Sequence, residues 1–164
     1  VVSLEAEKIL GVLIHHGVEF IVVGGIAATL QGAPLATFDL DILHRRTPGN
    51  IARLLDALRD LEAHTYFDPR KLVPDESHLR GPGHLLLATR FGRCDVLGSI
   101  EEDVCYEDVL DQTVTITLDE MQVLVLELSR LIKAKEFAGR PKDLAVLPVL
   151  RATLDEIRKR ASMP

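Results

Sequence analysis

Apolar positions recur along this chain with two periods, and the switches between them mark out its expected elements. From residue 4 to 16, Leu4, Ile9, Leu10, Val12 and Leu13 recur at helical spacing among Glu5, Glu7 and Lys8, and Gly17 stops the pattern. Val18 to Val23 is a β-branched apolar run with no helical room before Gly24-Gly25, which predicts a strand buried on both faces. Ile26 to Leu30 predicts a brief helix closed by Gly32 and Pro34. Thr37 to Leu43 alternates, placing Phe38, Leu40 and Ile42 on one face and Asp39 and Asp41 on the other. Pro48 opens a helix in which Ile51, Leu54, Leu55, Leu58 and Leu61 recur at helical spacing.

Residues 68–83 mix Pro69, Pro74, Gly81, Pro82 and Gly83 with polar side chains and predict a long loop of the kind that surrounds a site. His84 to Arg90 and Arg93 to Leu97 predict two strands joined tightly at Phe91-Gly92, and Val114 to Leu118 a further strand. The last third is expected to be helical, broken at Gly139-Arg140-Pro141. Leu124, Leu128, Leu131, Lys135 and Ala138 would form one helical stripe, with Lys133 pointing elsewhere. No repeat or interdomain linker interrupts this order. The expectation is one domain over 1–164, with a core at about 18–118 and C-terminal helices at about 119–161.

Composition removes several function classes. A chain of 164 residues that is 47% hydrophobic and 27% charged is neither disordered nor collagenous. Two cysteines, Cys94 and Cys105, are too few for a disulfide framework and lack CxxC spacing, so a reducing, cytoplasmic setting is expected. Aromatic residues make up 4% and Trp is absent, which argues against repeated base-stacking platforms. No apolar run approaches a membrane span of about 20 residues, so no membrane partner is expected.

The net charge of −6 is unevenly spread. Residues 91–120 hold nine acids and one base, whereas residues 130–160 hold nine bases and four acids. An acidic total therefore leaves room for a local surface that meets anions.

Asp39 and Asp41 leave one strand face about 7 Å apart along the backbone, close enough for their oxygens to converge. Such carboxylates either form a solvated face or share a proton or a divalent cation. With oxygen-only ligands and no adjacent His or Cys, the ion expected is Mg²⁺ or Mn²⁺ rather than zinc. Gly24-Gly25 ends a buried strand where a helix begins; its amides suit phosphate, or its glycines merely serve a tight turn. Neither GxGxxG nor the P-loop pattern is present, which removes the dinucleotide and P-loop NTPase readings.

Val23-Gly24-Gly25, thirteen intervening residues and Asp39-Leu40-Asp41-Ile42 together resemble the signature of the polymerase-beta-like nucleotidyltransferase superfamily, most closely its minimal and AbiEii-type bacterial members. The resemblance implies a third carboxylate on a later strand, and Asp95 in Gly92-Arg93-Cys94-Asp95-Val96-Leu97-Gly98 matches it. By alternation Asp95 shares a strand face with Arg93 and Leu97. A second match, Lys133-Ala134-Lys135 through Arg140-Pro141-Lys142-Asp143-Leu144, resembles the C-terminal lysine, arginine and lysine-aspartate motif of AbiEii-like proteins. Lys135, on an apolar face, needs an anionic partner, either Asp143 or a nucleotide phosphate; otherwise it reaches out to water.

The resemblance implies an α+β, α/β-like nucleotidyltransferase fold: a mixed, antiparallel-biased sheet flanked by helices, with a helical C-terminal segment. It implies transfer of a nucleoside monophosphate from an NTP to a hydroxyl of RNA, protein or a small molecule. Asp39, Asp41 and Asp95 would hold metal, with Lys135 beside them as a catalytic cation. Gly24, Gly25, Thr37, Arg140 and Asp143 would bind nucleotide. A toxin or antitoxin protein is an expected partner for such a chain. Two departures from the family pattern stand out: Leu35 where an arginine is common, offset in principle by Arg45 and Arg46, and Val146 where an aspartate is frequent. They motivate a second reading, a catalytically weak, partner-binding member of a toxin–antitoxin pair. A third reading is a metal-dependent phosphohydrolase. His15-His16 suits a helix end rather than a metal, His44 follows the DxD strand as a single imidazole, and Cys94 faces away from Asp95 into the core.

Overall fold

The computed structural model describes residues 4–164. The amphipathic opening forms α1 (Ala6–His15), which buries Ile9, Leu10 and Leu13. β1 (Phe20–Val23) is buried at every position, and α2 (Gly24–Leu30) begins directly at the glycine pair. β2 (Asp39–His44) carries the DxD. In α3 (Pro48–Asp60), Pro48 occupies the first turn and the Thr47 hydroxyl accepts the Asn50 N–H at 3.4 Å, which satisfies one amide the helix itself cannot pair.

Two short elements follow α3, one just before the expected loop at 68–83 and one inside it. β3 (His64–Thr65) pairs with Leu87 and Ala88, near the end of the first strand of the next hairpin. α4 (Glu76–Arg80) is capped reciprocally: the Asp75 carboxylate accepts the His78 N–H at 3.2 Å, and the His78 ring accepts the Asp75 N–H at 3.0 Å. Flanking prolines and glycines masked that exchange in the sequence. β4 (His84–Thr89) and β5 (Gly92–Leu97) then form the expected hairpin across Arg90-Phe91. α5 (Tyr106–Val109) leads through a short 3-10 turn to β6 (Thr113–Leu118), β7 (Met121–Leu126), α6 (Leu128–Ala138) and the long α7 (Pro141–Ala161).

β7 corrects the expectation of helix from residue 119. Met121 to Leu126 pairs antiparallel with β6 and, through Val125, parallel with Val22 of β1. Leu124 therefore lies in a strand, and the helical stripe starts at Leu128. An apolar run this short fits strand or helix alike, and only the waiting edge of β1 decides it. The α6–α7 break does fall at Gly139, in the left-handed conformation, followed by Pro141 in the first turn.

The seven strands form one mixed sheet in the order β3-β4-β5-β2-β1-β7-β6. β1 pairs in parallel with β7, and β2 with β5; the remaining neighbours are antiparallel. α1 and α3 cover the sheet with Ile9, Leu10, Leu13, Leu54 and Leu58, while Leu131 of α6 and Leu147 and Leu150 of α7 join the same continuous core. Leu40 and Ile42 of β2 are fully buried, each contributing roughly 1.5–3 kcal/mol of burial. That anchorage fixes which way Asp39 and Asp41 face.

Candidate active site

Parallel pairing of β2 with β5 sets Asp39 opposite Arg93 and Asp41 opposite Asp95. Because side chains alternate along a strand, all four leave the same face. Leu40, Ile42, Cys94 and Val96 fill the other face and are buried. One carboxylate oxygen from each of Asp39, Asp41 and Asp95 lies within 4.8 Å of the other two. The separation of over 50 residues between Asp41 and Asp95 is thus closed by one strand pairing.

Three converging carboxylates in a partly buried site repel each other when ionised. Burial, then the charges of Asp39 and Asp95, push Asp41 up to about 7, against the opposing pull of Lys135 and Arg93. Burial and the neighbouring Asp39 carboxylate also raise Asp95, with Arg93 pulling the other way. A divalent cation among these oxygens would relieve the repulsion, and the all-oxygen donor set suits a hard ion.

The glycine pair abuts this cluster. Gly24 has φ +70°, and a Cβ there would fall 2.3 Å from Asp41 Oδ2; any side chain would displace a carboxylate. A Cβ on Gly25 would lie 2.6 Å from the Thr37 methyl carbon. Thr37 thus borders the turn, and both glycines leave backbone within reach of whatever the carboxylates hold.

Lys135 lies close enough to lower the Asp41 pKa, and its ammonium donates to Asp143 Oδ1 at 2.9 Å. Arg140 Nε donates to Asp143 Oδ2 at 2.5 Å. The Asp143 side chain is completely buried. Burial alone would raise its pKa, but the bonds from Arg140 and Lys135 outweigh it and hold the carboxyl below its usual range. Of the two partners open to Lys135, the structure therefore supplies Asp143. With no exposed surface and both oxygens engaged, Asp143 ties α6 to α7 and orients Lys135.

Other candidates lie elsewhere. Arg45 and Arg46, at the far end of β2, do not replace an arginine at Leu35: Arg45 pairs with Glu19 and Glu107, and Arg46 donates to the Arg80 carbonyl and Cys105 Sγ. Leu35 itself packs against the core. His44 is buried and donates to the Leu79 carbonyl at 3.0 Å; burial lowers its pKa. His16 bonds Asp60 at 2.7 Å. Cys94 is fully buried, and burial raises its thiol pKa.

Arg93 is the site residue that sequence reasoning passed over. Its Nη2 lies 3.4 Å from both Asp95 oxygens, and its guanidinium sits 4.2 Å from the Tyr66 ring centre. The shared strand face with Asp95 was the available signal; the aromatic contact depends on β3 and could not be read locally.

No family model and no curated protein matches the chain in sequence. Solved structures do match in fold. A Thermotoga maritima protein assigned provisionally as a nucleotidyltransferase superposes with a TM-score of 0.57 at 18% identity, over 92% of this chain and 90% of that one. The lincosamide antibiotic adenylyltransferase LnuA, with lincomycin bound, gives 0.60 at 13% identity, over 93% and 99%. The antibiotic-resistance factor ANT(2'')-Ia gives 0.58 at 11% identity, over 95% and 90%. Over nearly its whole length this chain, with its mixed sheet and flanking helices, shares the fold of these nucleotidyltransferases.

Proposed function

We propose that the chain is a divalent-cation-dependent nucleotidyltransferase that moves a nucleoside monophosphate from an NTP to a hydroxyl acceptor, releasing pyrophosphate. The observation that carries this reading is the convergence of Asp39, Asp41 and Asp95 within 4.8 Å beside a glycine pair with no side chain between. Asp39, Asp41 and Asp95 would hold Mg²⁺ or Mn²⁺, which when bound would lower the pKa of the acceptor hydroxyl and screen the triphosphate. The backbone at Gly24 and Gly25, bordered by Thr37, would receive phosphate. Lys135, oriented by Asp143, would stabilise charge on the departing pyrophosphate, and Arg140 would hold Asp143 in place. Asp143 is thus proposed as a positioning residue rather than a nucleotide contact.

The chain would act as a single domain in the cytoplasm, where NTPs are supplied. Among the described residues no helix is long and apolar enough to cross a membrane. LnuA and ANT(2'')-Ia modify or resist antibiotics; for this chain the acceptor class is RNA, a protein or a small molecule, and a toxin–antitoxin setting would supply a protein partner.

Incubation with each labelled NTP, Mg²⁺ and pooled RNA, protein and small-molecule acceptors tests the reading. Label transfer with pyrophosphate release, lost in Asp39→Asn, supports it. Inorganic phosphate without pyrophosphate indicates a phosphohydrolase. Absence of any NTP turnover together with a tight cognate protein complex indicates the partner-binding reading, which the apolar Leu35 favours.

A further inference from the structure

The open sheet face continues beyond the carboxylates toward β4 and β3. The Asp41–Asp95 row runs on to Leu86 of β4, and the Tyr66 N–H donates to the Leu86 carbonyl at 2.8 Å. His84 and Leu86 are exposed along this face, whereas Leu87 and Thr89 point into the core. Tyr66 is 46% exposed and Phe67 71%, and their rings meet edge to face at 4.7 Å. In a chain with 4% aromatic residues, two such rings left in water beside a carboxylate cluster call for an occupant.

Arg93 joins this ledge to the carboxylates. Its guanidinium lies 4.2 Å from the Tyr66 ring centre and 5.6 Å from that of Phe67, so the rings hold it in position. Its hydrogen bonding is incomplete. The 3.4 Å distances to Asp95 exceed the 2.7–2.9 Å of a tight charge-assisted pair, and its buried Nε has no partner among the described residues.

Resting on the nucleotidyltransferase reading, we propose that this ledge is the acceptor subsite and that the acceptor is nucleotidic: a ribose hydroxyl carried between a phosphate and a flat base. In-line displacement puts the attacking oxygen and the departing pyrophosphate on opposite sides of phosphorus. The glycine pair adjoins Asp41 from the β1 side, so the hydroxyl enters from the β5 side, beside Asp95. The acceptor oxygen bonds to the α-phosphorus as the bridge to the β-phosphate breaks. Pyrophosphate leaves with the bonding electrons, and the hydroxyl proton passes to Asp95. Arg93, two residues from Asp95 on the same strand face, suits a phosphate adjacent to that hydroxyl. Tyr66 and Phe67 offer a stacking surface for the base. Arg93 puts a positive charge with an unpaired donor on the side where the acceptor enters, which favours a phosphate beside the hydroxyl.

The test measures binding of a labelled single-stranded RNA pentamer, and separately of AMP, with Mg²⁺ and a saturating ATP analogue whose α–β bridge is methylene. Arg93→Ala is expected to weaken binding of the nucleotidic probe about tenfold, and Tyr66→Ala with Phe67→Ala by a similar factor. Arg93→Lys should recover part of the loss. Affinity for the ATP analogue and the thermal melting curve should stay near wild type in the variant lacking the exposed Tyr66 and Phe67 rings. Binding of RNA alone assigns a strand end; binding of AMP alone assigns a free nucleotide. The proposal is overturned if wild type binds neither probe, if the variants bind them as tightly as wild type, or if lincomycin or an aminoglycoside is the acceptor with a KM insensitive to Arg93 and Tyr66. Failure of the broader reading looks different: wild type would then bind no ATP analogue at all.

Discussion

The two carboxylate sites of this protein are tuned in opposite directions. At the mouth of β2 and β5, three carboxylates crowd together against the partial compensation of Arg93 and Lys135, and Asp41 is raised to about 7. At the α6–α7 junction, one carboxylate is gripped by two cations and lowered despite complete burial. Carboxylates that outnumber their cations have charge left to offer a ligand. A carboxylate outnumbered by its cations is committed to the fold. Lys135 is drawn on by both sites, so the buried pair at Asp143 places a positive charge beside the open cluster.

The strongest way to separate the two sites is to neutralise one member of the cluster. Asp39→Asn and Asp41→Asn should each cost about 10³-fold or more in NMP transfer, while the metal-free protein melts at or above the wild-type temperature because a repulsion is gone. Melting curves beside turnover check both halves; a large loss of stability would remove the contrast.

Lys135→Ala should lower kcat by about 10²-fold with a smaller change in melting. Asp143→Ala should instead destabilise by about 2 kcal/mol, read from denaturant midpoints, because Lys135 and Arg140 lose their shared acceptor. Equal effects of both substitutions on stability and on kcat would erase the division between them.

Gly24→Ala should weaken the site through Asp41, since its Cβ would fall on that carboxylate and its φ is positive. Calorimetry should show Mg²⁺ affinity falling by about tenfold or more, and Gly49→Ala, a glycine whose added Cβ meets only a flexible arginine tip at 3.6 Å, serves as the control.

The last effect, spread over a range of pH, concerns titration. Asp41 has a folded pKa above its unfolded 3.8, so the folded state binds more protons between about pH 4 and 7 and loses stability as pH rises through that window. The loss should amount to about 1–3 kcal/mol in the metal-free protein, and saturating Mg²⁺ should flatten it. Asp143, lowered from 3.8, acts with the opposite sign: its contribution is present above that value and disappears as pH falls below it. Melting temperature against pH, with and without Mg²⁺, separates the two slopes.

Much of the site was legible along the chain because its signals are local. Strand alternation put Asp39 and Asp41 on one face, the glycine pair marked the strand-to-helix turn, and the hairpin at Phe91 placed Asp95 in a strand. The mixed sheet and the α6–α7 break at Gly139 also followed from pattern and resemblance. Other features depended on partners distant in sequence. Met121 to Leu126 has no period that separates strand from helix, and the parallel edge of β1 made it β7. Arg45 and Arg46 look available in sequence, but Glu19, Glu107 and Cys105 occupy them.

What the sequence by itself determined is the set of chemical groups and the face each presents on its own element, because periodicity and turn chemistry act over a few residues. Only the tertiary structure decided which groups meet. Parallel pairing of β2 with β5 brought Asp95 to Asp41, packing of α7 on α6 sealed Asp143 onto Lys135, and β3 beside β4 set Tyr66 over Arg93. The first and last of those contacts close long loops, the second spans the α6–α7 turn, and all three rest on burial and charge compensation that exist only once the core has formed.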